Sequence, residues 1–145
     1  PPMFSYRTDL RLPEATLRIL NATGLDERLH EKVINLSHGL KRALELSVVL
    51  ATEPTILLLD EPTAGLTKTE RILIGDILVD LSERDGLCIL LIEHDLDFVR
   101  EISSRIVVLH QGKLLLDGTV DEVVGSELVR AIYSGEQLAK ATEDV

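Results

Sequence analysis

The hydrophobic pattern begins with two segments of helical spacing. The first starts near Pro13 and ends around Gly24. The second follows a polar connection, is capped by Ser37 and must stop before Pro54, because the residue before a proline disfavours helical backbone. Its predicted apolar positions are Leu40, Ala43, Leu44 and Val48. We therefore expect two amphipathic helices before residue 54.

Short, unbroken apolar runs then alternate with helical segments. The runs are residues 56–59, 87–92 and 106–109. Continuous runs of this length are typical of strands covered on both faces, so Cys88 in the second run is predicted to be buried. Thr67 and Glu70 have capping-box spacing before a third helix that ends before Gly86.

The remaining segments predict a hairpin between short helices. Asp95 can cap a helix before the third strand, and the turn at residues 111–113 leads into a fourth strand. Thr119 and Glu122 repeat the capping-box spacing, and an amphipathic turn follows at residues 128–133. Strands that alternate with helices predict a doubly wound, mainly parallel α/β sheet with an antiparallel end.

Charge and composition narrow the classes of partner. Fifteen basic and 25 acidic residues give a net charge of -10, which opposes the phosphate neutralisation that nucleic-acid binding requires. A single cysteine cannot form an internal disulfide. The apolar runs are far shorter than the roughly 20 residues that span a bilayer. We therefore expect a protein that does not bind nucleic acid and does not itself cross a membrane.

Two acidic residues follow the first predicted strand directly. Ligands gather at the carboxyl ends of strands in α/β sheets, so Asp60 and Glu61 are candidate functional groups. Asp60 could hold Mg²⁺, usually through water, and Glu61 could orient and deprotonate an attacking water. The alternative is a simple polar turn after a core strand.

Two further candidates lie near other predicted element ends. Ser37, His38 and Gly39 begin a helix, where unpaired N–H groups could bind an anion, although an ordinary N-cap has the same residues. His94 follows the second strand and should emerge at the same sheet edge as the acid pair. It could donate a hydrogen bond to a γ-phosphate or to the attacking water, although a surface histidine needs no function.

Four segments occur in the order of the motifs of one family. They are Leu36 to Gly39, Ile56 to Pro62, Thr63 to Leu66 and Ile92 to Asp95. They resemble the signature, Walker B, D-loop and H-loop of ATP-binding cassette (ABC) ATPases, and the resemblance runs from about Gly24 to Tyr133. The form of the D-loop looks most like that of branched-chain amino-acid or urea importer ATPases. The implied fold is a partial P-loop NTPase-type cassette that lacks its N-terminal portion.

The resemblance implies a role for each candidate residue. Two cassettes of this family pair head to tail, and the signature residues Ser37, His38 and Gly39 would contact ATP held by the partner. Catalytic Glu61 and His94 and the Mg²⁺ ligand Asp60 would serve ATP held by this chain. The D-loop residues at the dimer interface would be Ala64, Gly65 and Leu66. The implied partners are a second cassette and transmembrane permease subunits, on the cytoplasmic face of the cell membrane.

The sequence also departs from the family pattern. The chain has no Gly-x-x-x-x-Gly-Lys-Ser/Thr phosphate loop and no glutamine loop before the signature. His38 replaces a glycine of the usual signature, Leu40 replaces a polar residue, and Thr67 replaces the D-loop aspartate. We therefore expect this chain alone to bind ATP weakly and not to hydrolyse it. A non-catalytic interaction module and a soluble ABC ATPase outside transport are the alternatives.

The motifs also suggest how the chain is divided. Residues 1–12 are predicted to be a tail or truncated edge, and residues 136–145 a C-terminal tail. Between them, residues 13–54 form a helical part with the signature. Residues 55–135 form an α/β part that carries the Walker B, D-loop and H-loop motifs.

Overall fold

The computed structural model describes residues 11–133, so both predicted tails lie almost wholly outside the described residues. The chain folds as two compact units that join between Glu93 and His94. The predicted division at residue 54 separates functional parts of the chain rather than compact units, and it stays a prediction. Across residues 11–133, no helix has both the length and the apolar character to span a lipid bilayer.

Two helices open the first unit, as the pattern predicts. Helix α1 spans Glu14–Thr23 and α2 spans His38–Leu50, with two 3₁₀ turns at Asp26–Arg28 and Val33–Asn35 between them. The left-handed backbone of Gly24, with φ of 68°, ends α1. Helix α1 packs against α2.

A parallel strand pair completes the first unit. Strand β1 spans Ile56–Asp60, helix α3 spans Lys68–Asp85 and strand β2 spans Cys88–Ile92. The two strands pair in parallel, and α3 connects them. Its capping box is confirmed, and the helix packs against α2 and β2. The core residues contributed by these elements include Leu57, Ile74, Ile77, Leu78 and Leu81.

Ion pairs join α1 to the second half of α3. The Arg18 side chain lies 3.2 Å from an Asp80 carboxylate oxygen and also bonds to Asp85. Since these pairs are partly exposed, they orient the helices more than they stabilise them.

Two burial predictions for this unit are wrong. The strand pair is covered on one face only, and the exposed apolar side chains are Ile56, Leu58, Leu90 and Ile92. Cys88 is exposed as well. On α2, Val48 is 63% exposed. The buried positions of the helix are Gly39, Ala43, Leu46, Ser47 and Leu50. An unbroken apolar run has no alternation, so it does not reveal which face this chain covers.

The second unit is a hairpin flanked by helices. Helix α4 spans Leu96–Ile102, strands β3 and β4 span Arg105–His110 and Lys113–Thr119, and helix α5 spans Val120–Gly125. Residues 127–133 are also helical. Gln111 and Gly112 both have positive φ, as a type I′ hairpin turn requires. The core of this unit contains Ile106, Val123 and Val129.

The predicted α/β fold class is confirmed. Within residues 11–133 the parallel pair and the antiparallel hairpin are two separate two-stranded sheets. All the predicted helices and strands are present, and their boundaries lie within a residue or two of the prediction except in β4, which continues past the predicted run 114–116 to Thr119.

Candidate functional site

The acid pair lies at the carboxyl end of β1. Asp60 is the last residue of the strand and pairs in register with Ile92 of β2. Asp60 and Glu61 are both exposed. Both carboxylates are therefore accessible from solvent at the end of the sheet where α/β proteins bind ligands.

A tight turn fixes the backbone after Asp60. Glu61 has a left-handed φ of 45°, which costs a residue with a side chain about 1 kcal/mol. Its N–H donates to the Ile92 carbonyl at 2.9 Å, and its carbonyl accepts from the Ala64 N–H at 3.1 Å. Hydrogen bonds therefore join the turn to β2 and close it internally, and together they hold the Glu61 backbone in one conformation.

Glu93 provides a second restraint on this turn, which sequence reasoning missed. Its Oε1 accepts from the Thr63 N–H at 2.9 Å and from the Thr63 hydroxyl at 2.6 Å. Thr63 is only 5% exposed, and Pro62 before it is buried. No local spacing rule predicts a contact between residues 30 positions apart. The one available signal is an acid just before the histidine of the H-loop.

His94 is exposed and is the first residue of the second unit. Asp95 after it caps α4, because its Oδ1 accepts from the Phe98 N–H at 3.1 Å. This confirms the predicted cap. The predicted convergence of His94 with the acid pair stays a prediction.

The signature residues begin α2 as expected. Ser37 is the N-cap, and its Oγ accepts from the Leu40 N–H at 3.3 Å. His38 is exposed and Gly39 is buried. The serine-capped helix start predicted from the sequence is therefore present.

Glu70 of α3 lies against this helix start, a contact that sequence reasoning missed. Its Oε1 accepts from the Ser37 hydroxyl at 2.8 Å and from the Gly39 N–H at 3.0 Å. Its Oε2 accepts from the N–H and the hydroxyl of Thr67, each at 3.0 Å. Hydrogen bonds from the Thr67 backbone, then from Ser37 and Gly39, lower the pKa of Glu70 to about 2.

The D-loop residues form the rest of the turn after the acid pair. Ala64 and Gly65 are exposed, and Leu66 is half-buried. Gly65 has a φ of 73°, and the Leu66 N–H donates to the Thr63 carbonyl at 3.1 Å. Their predicted place in a dimer interface stays a prediction.

Asp60 is compatible with a role in binding Mg²⁺. Mg²⁺ is usually held by one or two carboxylates together with water and the phosphates of a substrate. An exposed carboxylate at a strand end can take that role. Within residues 11–133, no group of three or more histidine, cysteine or acidic side chains is placed to hold a metal.

Comparisons with known proteins agree on one family. A family model described as ABC transporter matches residues 9–64. The branched-chain amino-acid transport ATP-binding protein LivG of Salmonella typhimurium is 39% identical over 117 residues, which cover 81% of this chain and 46% of LivG. The corresponding protein BraF of Pseudomonas aeruginosa is 35% identical over 130 residues, covering 90% of this chain and 51% of BraF.

A solved structure shows the same relationship. The ADP conformation of MJ1267, an ATP-binding cassette of an ABC transporter, matches with a TM-score of 0.74 and 28% identity. The match covers 84% of this chain and 49% of MJ1267. This chain thus spans about half the length of the relatives it matches.

Proposed function

Because this chain belongs to the ABC transporter family of ATP-binding proteins, we propose that it is part of an ATP-binding and hydrolysing importer subunit. The observation that carries this proposal is the acid pair at the carboxyl end of β1, with Glu61 held in a restrained turn. Carboxylates in a fixed position suit phosphoryl transfer, since that reaction depends mainly on positioning and charge stabilisation.

The two acids, Asp60 and Glu61, have different roles in this proposal. Asp60 holds the Mg²⁺ that accompanies ATP, and the ion neutralises charge on the phosphates when it is bound. Glu61 orients the attacking water and accepts its proton. His94 donates a hydrogen bond to the terminal phosphate or to that water. The Thr63–Glu93 contact supports this arrangement, because it holds the loop that carries Glu61.

The signature residues act on a second nucleotide. Ser37, His38 and Gly39 face the terminal phosphate of ATP held by a second cassette, and Ala64, Gly65 and Leu66 lie in the interface between the cassettes. The capped start of α2 supports this role, because helix N-termini favour anions. The subunit pairs with transmembrane permease subunits on the cytoplasmic face of the membrane. The names of LivG and BraF support branched-chain amino acids as the cargo.

The coding sequence before Pro1 gives the first test. We expect it to encode, in frame, a phosphate loop of the form Gly-x-x-x-x-Gly-Lys-Ser/Thr. A stop codon or an unrelated domain at that place would favour the non-catalytic interaction module.

The second test is ATP hydrolysis by the protein that includes that loop. We expect Mg²⁺-dependent turnover that Glu61→Gln reduces by about 100-fold or more while ATP binding is kept, since a positioned general base contributes 10²- to 10⁴-fold. Glu83→Gln, at an exposed acid of α3, is the matched control and should leave the rate unchanged. Turnover in Glu61→Gln equal to that of the unchanged protein would refute the assigned role.

A further inference from the structure

The two hydrogen-bond donors at the start of α2 converge on a single oxygen atom. The Ser37 hydroxyl and the Gly39 N–H both donate to Oε1 of Glu70, at 2.8 and 3.0 Å. Under the proposed function, these are the donors that would contact a terminal phosphate. In this structure they contact a carboxylate of the same chain.

The Glu70 carboxylate is held from both sides. While Oε1 faces α2, Oε2 accepts two hydrogen bonds from Thr67, the N-cap of α3. The carboxylate therefore bridges the N-termini of two helices, both of which favour a negative charge. Hydrogen bonds to a charged acceptor are shorter and stronger than neutral ones, which favours this contact.

The Glu70 side chain fills the space beside the Gly39 backbone. A Cβ atom at residue 39 would lie 2.6 Å from Cγ and 2.8 Å from Cδ of Glu70. The side chain of Glu70 therefore passes directly over the backbone that carries the Gly39 donor. A phosphate could reach this donor only after the Glu70 side chain moved away.

We propose that Glu70 is a gating residue of the signature, whose carboxylate occupies the donors of Ser37 and Gly39 until a phosphate displaces it. The inference rests on the proposed function, because it takes the start of α2 as a phosphate contact. Two anions cannot share the same pair of donors without strong repulsion, so occupancy by one excludes the other. The apparent phosphate affinity is then the intrinsic affinity multiplied by the fraction of molecules in which Glu70 has left the donors.

Phosphate titrations of the full chain test this gate. The amide signals of Gly39 and Leu40 are followed by NMR while inorganic phosphate is added at constant ionic strength. The proteins compared are the unchanged chain, Glu70→Ala, Glu70→Gln and Glu122→Ala. Glu122 is the matched control, because it forms the same capping box with Thr119 at the start of α5.

We expect Glu70→Ala to lower the half-saturating phosphate concentration at these amides by at least about tenfold. Glu70→Gln should give a smaller decrease, since glutamine keeps a capping-box side chain but removes the charge. Because it keeps the cap, Glu70→Gln still tests the gate if Glu70→Ala fails to fold. Glu122→Ala should behave as the unchanged chain.

Two other outcomes distinguish a failure of the proposed gate from a failure of the proposed phosphate contact. Saturable shifts of equal midpoint in all four proteins would overturn the gate and leave the proposed phosphate contact in place. An absence of saturable shifts at Gly39 and Leu40 in every protein, including a folded Glu70→Gln, would overturn both.

Discussion

Thr67 with Glu70 and Thr119 with Glu122 begin two helices with the same capping box, but the glutamate of the first box also hydrogen-bonds to the start of another helix, α2. In both boxes one carboxylate oxygen accepts from the N–H and the hydroxyl of the threonine. Glu70 also accepts two bonds from the start of α2 through its other oxygen. A local motif of four residues can therefore also act as a tertiary contact, and its sequence does not distinguish the two cases.

Glycine substitutions give the largest expected difference between the two boxes. We expect Gly39→Val to lower the free energy of unfolding by about 2 kcal/mol, because the added atoms overlap Cγ of Glu70, whose carboxylate is held at both ends. Valine and glycine are both poor helix formers, so propensity offsets little of this. Gly118→Val is the control, because its Cβ would meet mainly Oε2 of Glu122, at 2.7 Å, an atom that hydrogen-bonds within the local capping box of α5. Urea unfolding measures both, and equal losses would contradict the comparison.

Removal of the helix caps should give the next largest difference. Ser37→Ala removes the cap of α2 and a donor to Glu70, so we expect a loss of about 1.5 kcal/mol in the opening free energy of α2. Thr119→Ala removes only the local cap of α5, for which we expect about 1 kcal/mol. Native-state amide hydrogen exchange measures each helix separately. A smaller loss at Ser37 than at Thr119 would count against the Glu70 contact.

The two glutamates should also titrate differently. Hydrogen bonds lower the pKa of Glu70 to about 2 from an ordinary 4.5. Because the folded value is the lower one, Glu70 stabilises the fold fully above pH 4.5, and this contribution is lost as the pH falls through about 2. The backbone and hydroxyl of Thr119 lower the pKa of Glu122 in the same direction, with fewer donors. Side-chain carboxyl NMR titrations should place Glu70 below Glu122, and the reverse order would refute the prediction.

The smallest expected effect concerns charge rather than hydrogen bonds. Attraction to the Arg105 guanidinium is the smallest of the causes that lower the pKa of Glu122. The pKa of Glu70, by contrast, is lowered by hydrogen bonds. Arg105→Gln should therefore raise the pKa of Glu122 slightly and leave that of Glu70 unchanged. It should also raise the pKa of Asp117, with which Arg105 forms a bidentate pair. The same carboxyl titrations measure all three, and a rise at Glu70 would contradict the assignment.

Local signals predicted most of the secondary structure correctly. The caps at Ser37, Thr67, Asp95 and Thr119 all begin helices in the structure. Each of these signals depends on residues within one turn of the helix start, so neighbouring residues in the sequence are enough to predict where the helix begins.

Contacts between distant parts of the chain were not predictable in the same way. Glu70 lies 33 positions from Ser37, and Glu93 lies 30 positions from Thr63. Their pairing depends on how α3 and β2 are placed in the fold, which no spacing rule describes. The exposure of Cys88 was missed for a related reason, because an apolar run does not show whether other residues of the chain pack over it.

The left-handed backbone at Glu61 sets stability and chemistry against each other. Glycine at this position would adopt the φ of 45° without steric conflict, so Glu61→Gly should relax the turn even as it deletes the carboxylate. Any such relaxation would come with loss of the carboxylate that we propose orients the attacking water. Engineering for heat resistance should hold residue 61 constant and seek its gains elsewhere.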